Sequence, residues 1–173
     1  LIATRSVYEN VALVLEATGA ESRTIDITPT VDAYIARVDP ELSDLRRGNL
    51  AARIRAITLF DQSAKLGRIP LGTGNKSERL LGYFTWHADD SPPINPLGDL
   101  FKTQVWALAR HLGVPDPIVD KPASADLVRG IHDEDELGFP YHKADPILHW
   151  LLRGFSPEQL LRRDFEEGAV RAV

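Results

Sequence analysis

Gly72-Thr73-Gly74-Asn75-Lys76-Ser77-Glu78 is the stretch on which the fold turns. It follows Arg68-Ile69-Pro70-Leu71, a short run read as a strand, although Pro70 cannot donate to a sheet ladder. It precedes Leu80, Leu81 and Phe84, the apolar residues of a helix that Asn75 can cap. Strand, glycine turn and helix in that order predict one unit of an α/β protein. Two glycines let backbone approach a ligand, and the helix N-terminus behind them offers free amides and partial positive charge. Thr73 adds a hydroxyl, and Glu78 adds a carboxylate suited to Mg²⁺ beside a phosphate. The same spacing suits a capping box, with Asn75 as the cap and Glu78 at the third helical position. Spacing alone leaves both readings open.

Helical and extended patterns alternate on either side of this turn. Upstream, residues 1–3 read as the end of a strand, and Ser6 can cap a helix that carries Val7, Val11, Val14 and Leu15. Residues 24–27 read as a second short strand, and Thr28-Pro29 opens a helix running to Ile35. The longest helix is expected over residues 48–66, because Leu50, Ile54, Ile57, Phe60 and Ala64 recur at spacings of three and four. Gly67 stops it. Downstream, residues 87–93 read as a proline-rich loop. Asp99 starts a helix with Phe101, Val105, Leu108 and Leu112 on one face, ended by Gly113 and Pro115. Residues 121–139 have weak periodicity, and residues 147–152 and 157–173 read as terminal helices. The expected architecture is a parallel sheet with helices on both faces, its ligand beyond the C-terminal strand ends.

The chain has 173 residues, enough for one domain with a real core. Apolar residues at 43 % and charged residues at 26 % suit an ordered globular chain rather than a disordered one. A net charge of −5 argues against a general nucleic-acid binder. It leaves room for an anionic small ligand held by a few local cations. With no cysteine there is no disulfide, thiolate metal site or cysteine nucleophile, which fits a reducing compartment. No apolar run approaches the roughly 20 residues of a membrane helix. The sequence opens on Leu1, so it is expected to be part of something longer.

Arg53 precedes Ile57 and Phe60 on one helical stripe, where a rigid guanidinium can meet a phosphate or carboxylate or simply snorkel at the rim. Arg55 is expected on the other side, in solvent. Lys102 lies in the first turn of its helix, where a cation opposes the macrodipole. Retention for a phosphate and an ordinary surface lysine are both open. The run Asp133-Glu134-Asp135-Glu136 reads as a solvated loop or helix start, or as a metal site. The five histidines show no zinc spacing, and there is no nucleophile elbow, Walker-type loop or dinucleotide glycine fingerprint.

Taken in order, several words of the sequence carry a family likeness. They are Gly48-Asn49-Leu50-Ala51-Ala52-Arg53-Ile54-Arg55, then Gly72 to Glu78, then Leu81-Gly82-Tyr83-Phe84-Thr85. Asn95-Pro96-Leu97-Gly98-Asp99-Leu100-Phe101-Lys102-Thr103-Gln104-Val105, Ser124-Ala125-Asp126-Leu127 and Asp133-Glu134-Asp135-Glu136-Leu137-Gly138 follow. Over about residues 45 to 155 this order resembles the ammonia-dependent NAD synthetases, of the N-type ATP pyrophosphatase group. The resemblance implies a Rossmann-like three-layer sandwich of the adenine nucleotide alpha-hydrolase type. It also implies a reaction: with ATP and Mg²⁺, the carboxylate of deamido-NAD is adenylated with release of pyrophosphate. Ammonia then displaces AMP to give the amide of NAD.

By that resemblance Thr73, Lys102, Ser124 and, more loosely, Arg5 meet ATP, and Glu78 meets Mg²⁺. Arg53 and the positions of Trp86 and Pro93 meet deamido-NAD. The family usually has Lys where Trp86 stands and Asp where Pro93 stands, so the ATP side is kept better than the acid side. The family's Ser-Gly-Gly-x-Asp-Ser phosphate loop is expected before Leu1, and its His-Lys pair after Val173. Residues 1–173 are thus expected to be a single synthetase domain without those ends. A cytoplasmic homodimer is implied, with no nucleic-acid or membrane partner. Two alternatives stand beside it: a related amide synthetase for another carboxylate, and a non-catalytic nucleotide-binding module.

Overall fold

The computed structural model describes residues 16, 18–124 and 130–173. Within them lie the helices α1 (Thr28–Val38), α2 (Asp44–Leu66), α3 (Lys76–Leu81), α4 (Lys102–His111) and α5 (Asp116–Val119). They are followed by α6 (Asp133–Leu137), α7 (Tyr141–Leu151), α8 (Pro157–Leu161) and α9 (Glu167–Ala172). The strand expected at residues 1–3 and the helix expected from Ser6 to Leu15 lie outside the described residues, as does Arg5.

The long helix α2 begins four residues before the expected Gly48, because Ser43 takes an extended conformation and serves as its N-cap residue. Gly67 ends it with φ of 60°, a left-handed conformation that glycine adopts without a Cβ clash. Its apolar stripe is only partly covered: Gly48 and Ala56 are buried, while Ile57 and Phe60 are exposed.

The expected extended segments differ most from the sequence reading. Among the described residues no strand forms a ladder; residues 24–27 are irregular. The segment at residues 68–71 contributes one parallel bridge, Leu71 to Ile94, with Gly72 N–H donating to the Ile94 carbonyl at 2.8 Å. Pro70 has no amide to extend it. This bridge lays the 94–98 segment against the glycine turn.

The C-terminal part holds the clearest core. Ile147, Leu160, Ala169 and Val170 are buried together, with Trp150, Phe155 and Phe165 packed around them. Helix α7 starts at Tyr141, well before the expected Ile147, and Tyr141 and Ala144 are fully buried. The single helix expected over residues 157–173 is two, α8 and α9. Ser156 and Gln159 form a capping box at the first, and Asp164 breaks the path with φ of 62°. Helices α3 and α4 both pack on α7, so the core fixes the two helix N-termini that carry the candidate site.

Candidate nucleotide cleft

The turn at Asn75 satisfies both readings of Glu78 at once. Asn75 Oδ1 accepts from the Glu78 amide at 3.0 Å, and Glu78 Oε2 accepts from the Asn75 amide at 2.9 Å, a complete capping box. The other oxygen, Glu78 Oε1, accepts from Lys102 Nζ at 3.0 Å. One carboxylate oxygen holds the helix end while the second faces a cleft. Behind the turn, Asn95 Nδ2 donates to the Gly74 carbonyl at 2.6 Å. A Cβ on Gly72 would meet the Asn95 side chain and Pro92 at 3.4 Å, so that glycine serves close packing as well as the cleft.

Lys102 is the first residue of α4, which starts three residues later than expected from Asp99. Its N-cap residue, Phe101, has no polar side chain, so the free amides are met from other elements. The Lys102 amide donates to Ser77 Oγ at 2.8 Å and the Thr103 amide to Asp145 Oδ2 at 2.9 Å. Ser77 Oγ donates to Asp145 Oδ1 at 2.6 Å, and Thr103 Oγ1 to Asp145 Oδ2 at 2.7 Å. Asp145 is 3 % exposed, so a buried anion sits at the positive end of α4. That charge offsets the unfavourable position of Lys102. It also ties α3, α4 and α7 into one block.

Lys102 Nζ stands between two carboxylates, 3.0 Å from Glu78 and 4.0 Å from Asp133, and 5.4 Å from the centre of the Tyr141 ring. Asp133 belongs to the acidic run, which is the short helix α6; it alone of the four acids is buried. Burial pushes its carboxyl above the usual range, Lys102 opposes the rise and Glu78 adds to it. The phenols of Tyr83 and Tyr141 are pushed up in the same way, chiefly by burial and then by the acids beside them. Tyr83 donates to Glu136.

Glu78, Tyr83, Lys102, Asp133 and Glu136 line a cleft of about 850 Å³, a volume suited to a nucleotide-sized ligand. Thr73, Glu78, Lys102 and Ser124 all line it, so residues from three separate stretches of the sequence meet around one cleft. Ser124 Oγ donates to the Ile131 carbonyl at 2.9 Å. The three residues expected on the acid side do not line it. Arg53 is exposed, and its Nε donates to the Trp86 carbonyl at 3.1 Å; Trp86 and Pro93 are exposed as well. Arg55, expected in solvent on the far side, is exposed but lines the cleft. Sequence reasoning also missed Asn49, which accepts from Thr85 Oγ1 at 2.9 Å, and the buried pair Asp133 and Asp145. No spacing rule separates Asp133 from its three acidic neighbours. Asp145 carries one signal only, its place in a helix just before Pro146.

The cleft suits Mg²⁺ only in company with a phosphate ligand. Among the described residues no group of three or more His, Asp or Glu side chains is placed to hold a metal. Mg²⁺ is ordinarily held by one or two carboxylates with substrate phosphates supplying further oxygens. Glu78 Oε1 is placed for that role.

A cleft that gathers backbone-exposing glycines, Lys102, Arg55 and the carboxylates of Glu78, Asp89, Asp133 and Glu136 is of the kind that takes an anionic ligand together with a cation. Residues 3–173 match the family described as NAD synthase, and the chain belongs to that family. It is similar to the NH(3)-dependent NAD(+) synthetase of Trichlorobacter lovleyi, 50 % identical over 162 residues, covering 93 % of this chain and 59 % of that protein. The protein of the same name from Pelodictyon phaeoclathratiforme is 49 % identical over 92 % of this chain and 57 % of its own length. The chain therefore spans less than two thirds of these curated relatives. Among solved structures it is similar to an NMN synthetase from Francisella tularensis, with a TM-score of 0.78 and 34 % identity over 93 % of this chain and 67 % of that one. An NH3-dependent NAD synthetase from Campylobacter jejuni gives a TM-score of 0.71 at 28 % identity, over 99 % of this chain and 71 % of that one.

Proposed function

We propose that this chain forms the larger part of the ATP cleft of an ammonia-dependent NAD synthetase. The observation that supports the reading best is the meeting of Thr73, Glu78, Lys102 and Ser124 around one cleft. A carboxylate is a poor acyl donor, and transfer of an adenylyl group gives it AMP as leaving group. Charge grows on the phosphates during that transfer, and fixed cations in a water-poor site offset it. Lys102 would hold the phosphates. Glu78 Oε1 would hold Mg²⁺, which supplies electrophilic assistance to phosphoryl oxygens when bound. Thr73 and Ser124 would orient the nucleotide, and by the family likeness Arg5 would also contact it. Arg53, Trp86 and Pro93, outside the cleft, would form the surface for deamido-NAD, close to a partner subunit in a homodimer. The sequence is read as one domain of a cytoplasmic enzyme with the three-layer parallel-sheet fold. Among the described residues no helix is long and apolar enough to cross a membrane.

A second reading, amidation of a different carboxylate, draws on one feature. Trp86 and Pro93 replace the Lys and Asp usual in the family, and the solved NMN synthetase is a relative whose product is a mononucleotide. The test is to supply the full-length protein with Mg-ATP, ammonia and either deamido-NAD or nicotinate mononucleotide. The leading reading expects NAD and AMP in equal amounts from the dinucleotide. Turnover of the mononucleotide alone would favour the second reading, and no AMP from either would sink both.

A further inference from the structure

The cleft floor holds a carboxylate that the proposed function leaves without a task. Asp133 is 3 % exposed and lines the cleft. Its Oδ2 accepts from the Tyr141 hydroxyl at 3.3 Å and lies 4.0 Å from Lys102 Nζ. Its Oδ1 is buried and has no hydrogen-bond partner among the described residues. A buried acceptor without a partner is costly to folding, so its presence in a ligand cleft calls for a cation.

Lys102 has two unequal partners. Glu78 is nearer, and its side chain is 19 % exposed; the Asp133 side chain is 5 % exposed and farther. Glu78 Oε1 is also the oxygen that the proposed function gives to Mg²⁺. A carboxylate oxygen that coordinates a divalent ion is a weaker acceptor for an ammonium group. The hold of Glu78 on Lys102 would weaken at the moment the lysine is needed beside the phosphates. Asp133 is the anion left in place, fixed by a fully buried Tyr141 whose ring also faces Lys102.

We infer that Asp133, held by Tyr141, is a positioning residue that receives Lys102 when Glu78 takes the metal. The inference rests on the proposed ATP and Mg²⁺ reading. It has a definite consequence. The Glu78–Lys102 pair competes with Mg²⁺, and Asp133 relieves that competition by offering the lysine another partner. Loss of Asp133 therefore raises the Mg²⁺ needed for ATP binding.

The experiment is calorimetric ATP binding by the full-length protein over a series of Mg²⁺ concentrations, all above that needed to complex ATP itself and without acid substrate. Asp133→Asn keeps the shape and removes the charge. Tyr141→Phe keeps the ring and removes the hydroxyl, and it carries the test if the first variant does not fold. The half-saturating Mg²⁺ is expected to rise about tenfold in Asp133→Asn, and less in Tyr141→Phe. A packing defect alone would lower the melting temperature without moving that midpoint. In a Lys102→Gln background, Asp133→Asn is expected to have no further effect. An unchanged midpoint in the folded variants overturns the inference. So does an equal shift in the Lys102→Gln background, which would make Asp133 a metal ligand itself. If the unsubstituted protein shows no Mg²⁺-dependent ATP binding, the proposed function fails and this inference with it.

Discussion

The cleft floor and the loop carrying Trp86 and Pro93 lie close in sequence and are built on opposite plans. Beneath the cleft, Ser77, Asn75 and Asp145 are at most 3 % exposed; Ser77 and Asp145 are held by hydrogen bonds between elements, and Asn75 by the capping box of its own helix. On the loop, Trp86 is 65 % exposed; its carbonyl accepts from Arg53, and its ring meets Phe84 at 5.3 Å and His87 at 6.2 Å between centroids. The loop's shape comes from backbone and small contacts: the Thr85 amide donates to Asp89, Ala88 is buried, and His87 has φ of 63°. A floor fixed by buried polar partners cannot change one member cheaply. A loop fixed by its backbone can exchange exposed side chains and keep its path. On the proposed reading, that contrast sets a nucleotide side that cannot vary cheaply against an acid side that can.

The largest effect that could break this contrast is expected at Glu78. Glu78→Ala should lower turnover about 100-fold or more, as removal of one preorganised electrostatic group does. Loss of its capping role should cost about 0.5–2 kcal/mol of stability. Steady-state kinetics beside urea unfolding separates the two; a rate loss explained by unfolding would make the residue a cap only. Asp145→Ala comes next. It leaves the Thr103 amide and two hydroxyls without their acceptor and should cost about 3 kcal/mol in denaturant unfolding. A cost under about 1 kcal/mol would mean that the block of α3, α4 and α7 does not depend on this anion.

Asp133 sharpens the contrast through pH. Its folded carboxyl sits above its ordinary value, so the native state binds that proton more tightly than the unfolded chain does. The favourable contribution is present below the unfolded value and is lost as pH rises through the folded one. Lys102, Glu78, Tyr141 and Tyr83 are the groups that face it. Asp133→Asn is therefore expected to melt higher than the unsubstituted protein at neutral pH, with the gain shrinking in acid. The smallest effect is expected on the loop. Trp86→Lys should change stability by no more than about 0.5 kcal/mol. It should shift KM for the acid several-fold and leave KM for ATP unchanged. A shift in KM for ATP would mean that loop and floor are one site.

The floor was legible because its chemistry is local. Asn75 and Glu78 are three residues apart, and a capping box follows from that spacing. Lys102 was found by a conflict, a cation at a helix N-terminus, whose resolution lies in Asp145, 43 positions away. Nothing local to Asp145 reveals that link. A periodic stripe shows which residues share a face but not which face meets the cleft, so Arg55, expected in solvent, lines the cleft. The extended segments were the least legible. A single Leu71–Ile94 bridge is what residues 68–71 contribute among the described residues, and Pro70 is the reason visible in the sequence.

The central claim is that this cleft transfers an adenylyl group to a carboxylate. Pyrophosphate–ATP exchange in the full-length protein tests it most directly. Label from pyrophosphate should enter ATP only with deamido-NAD and Mg²⁺ present, without any need for ammonia, and Glu78→Ala should abolish it. No exchange under those conditions, or cleavage of ATP to ADP and phosphate, would contradict the account.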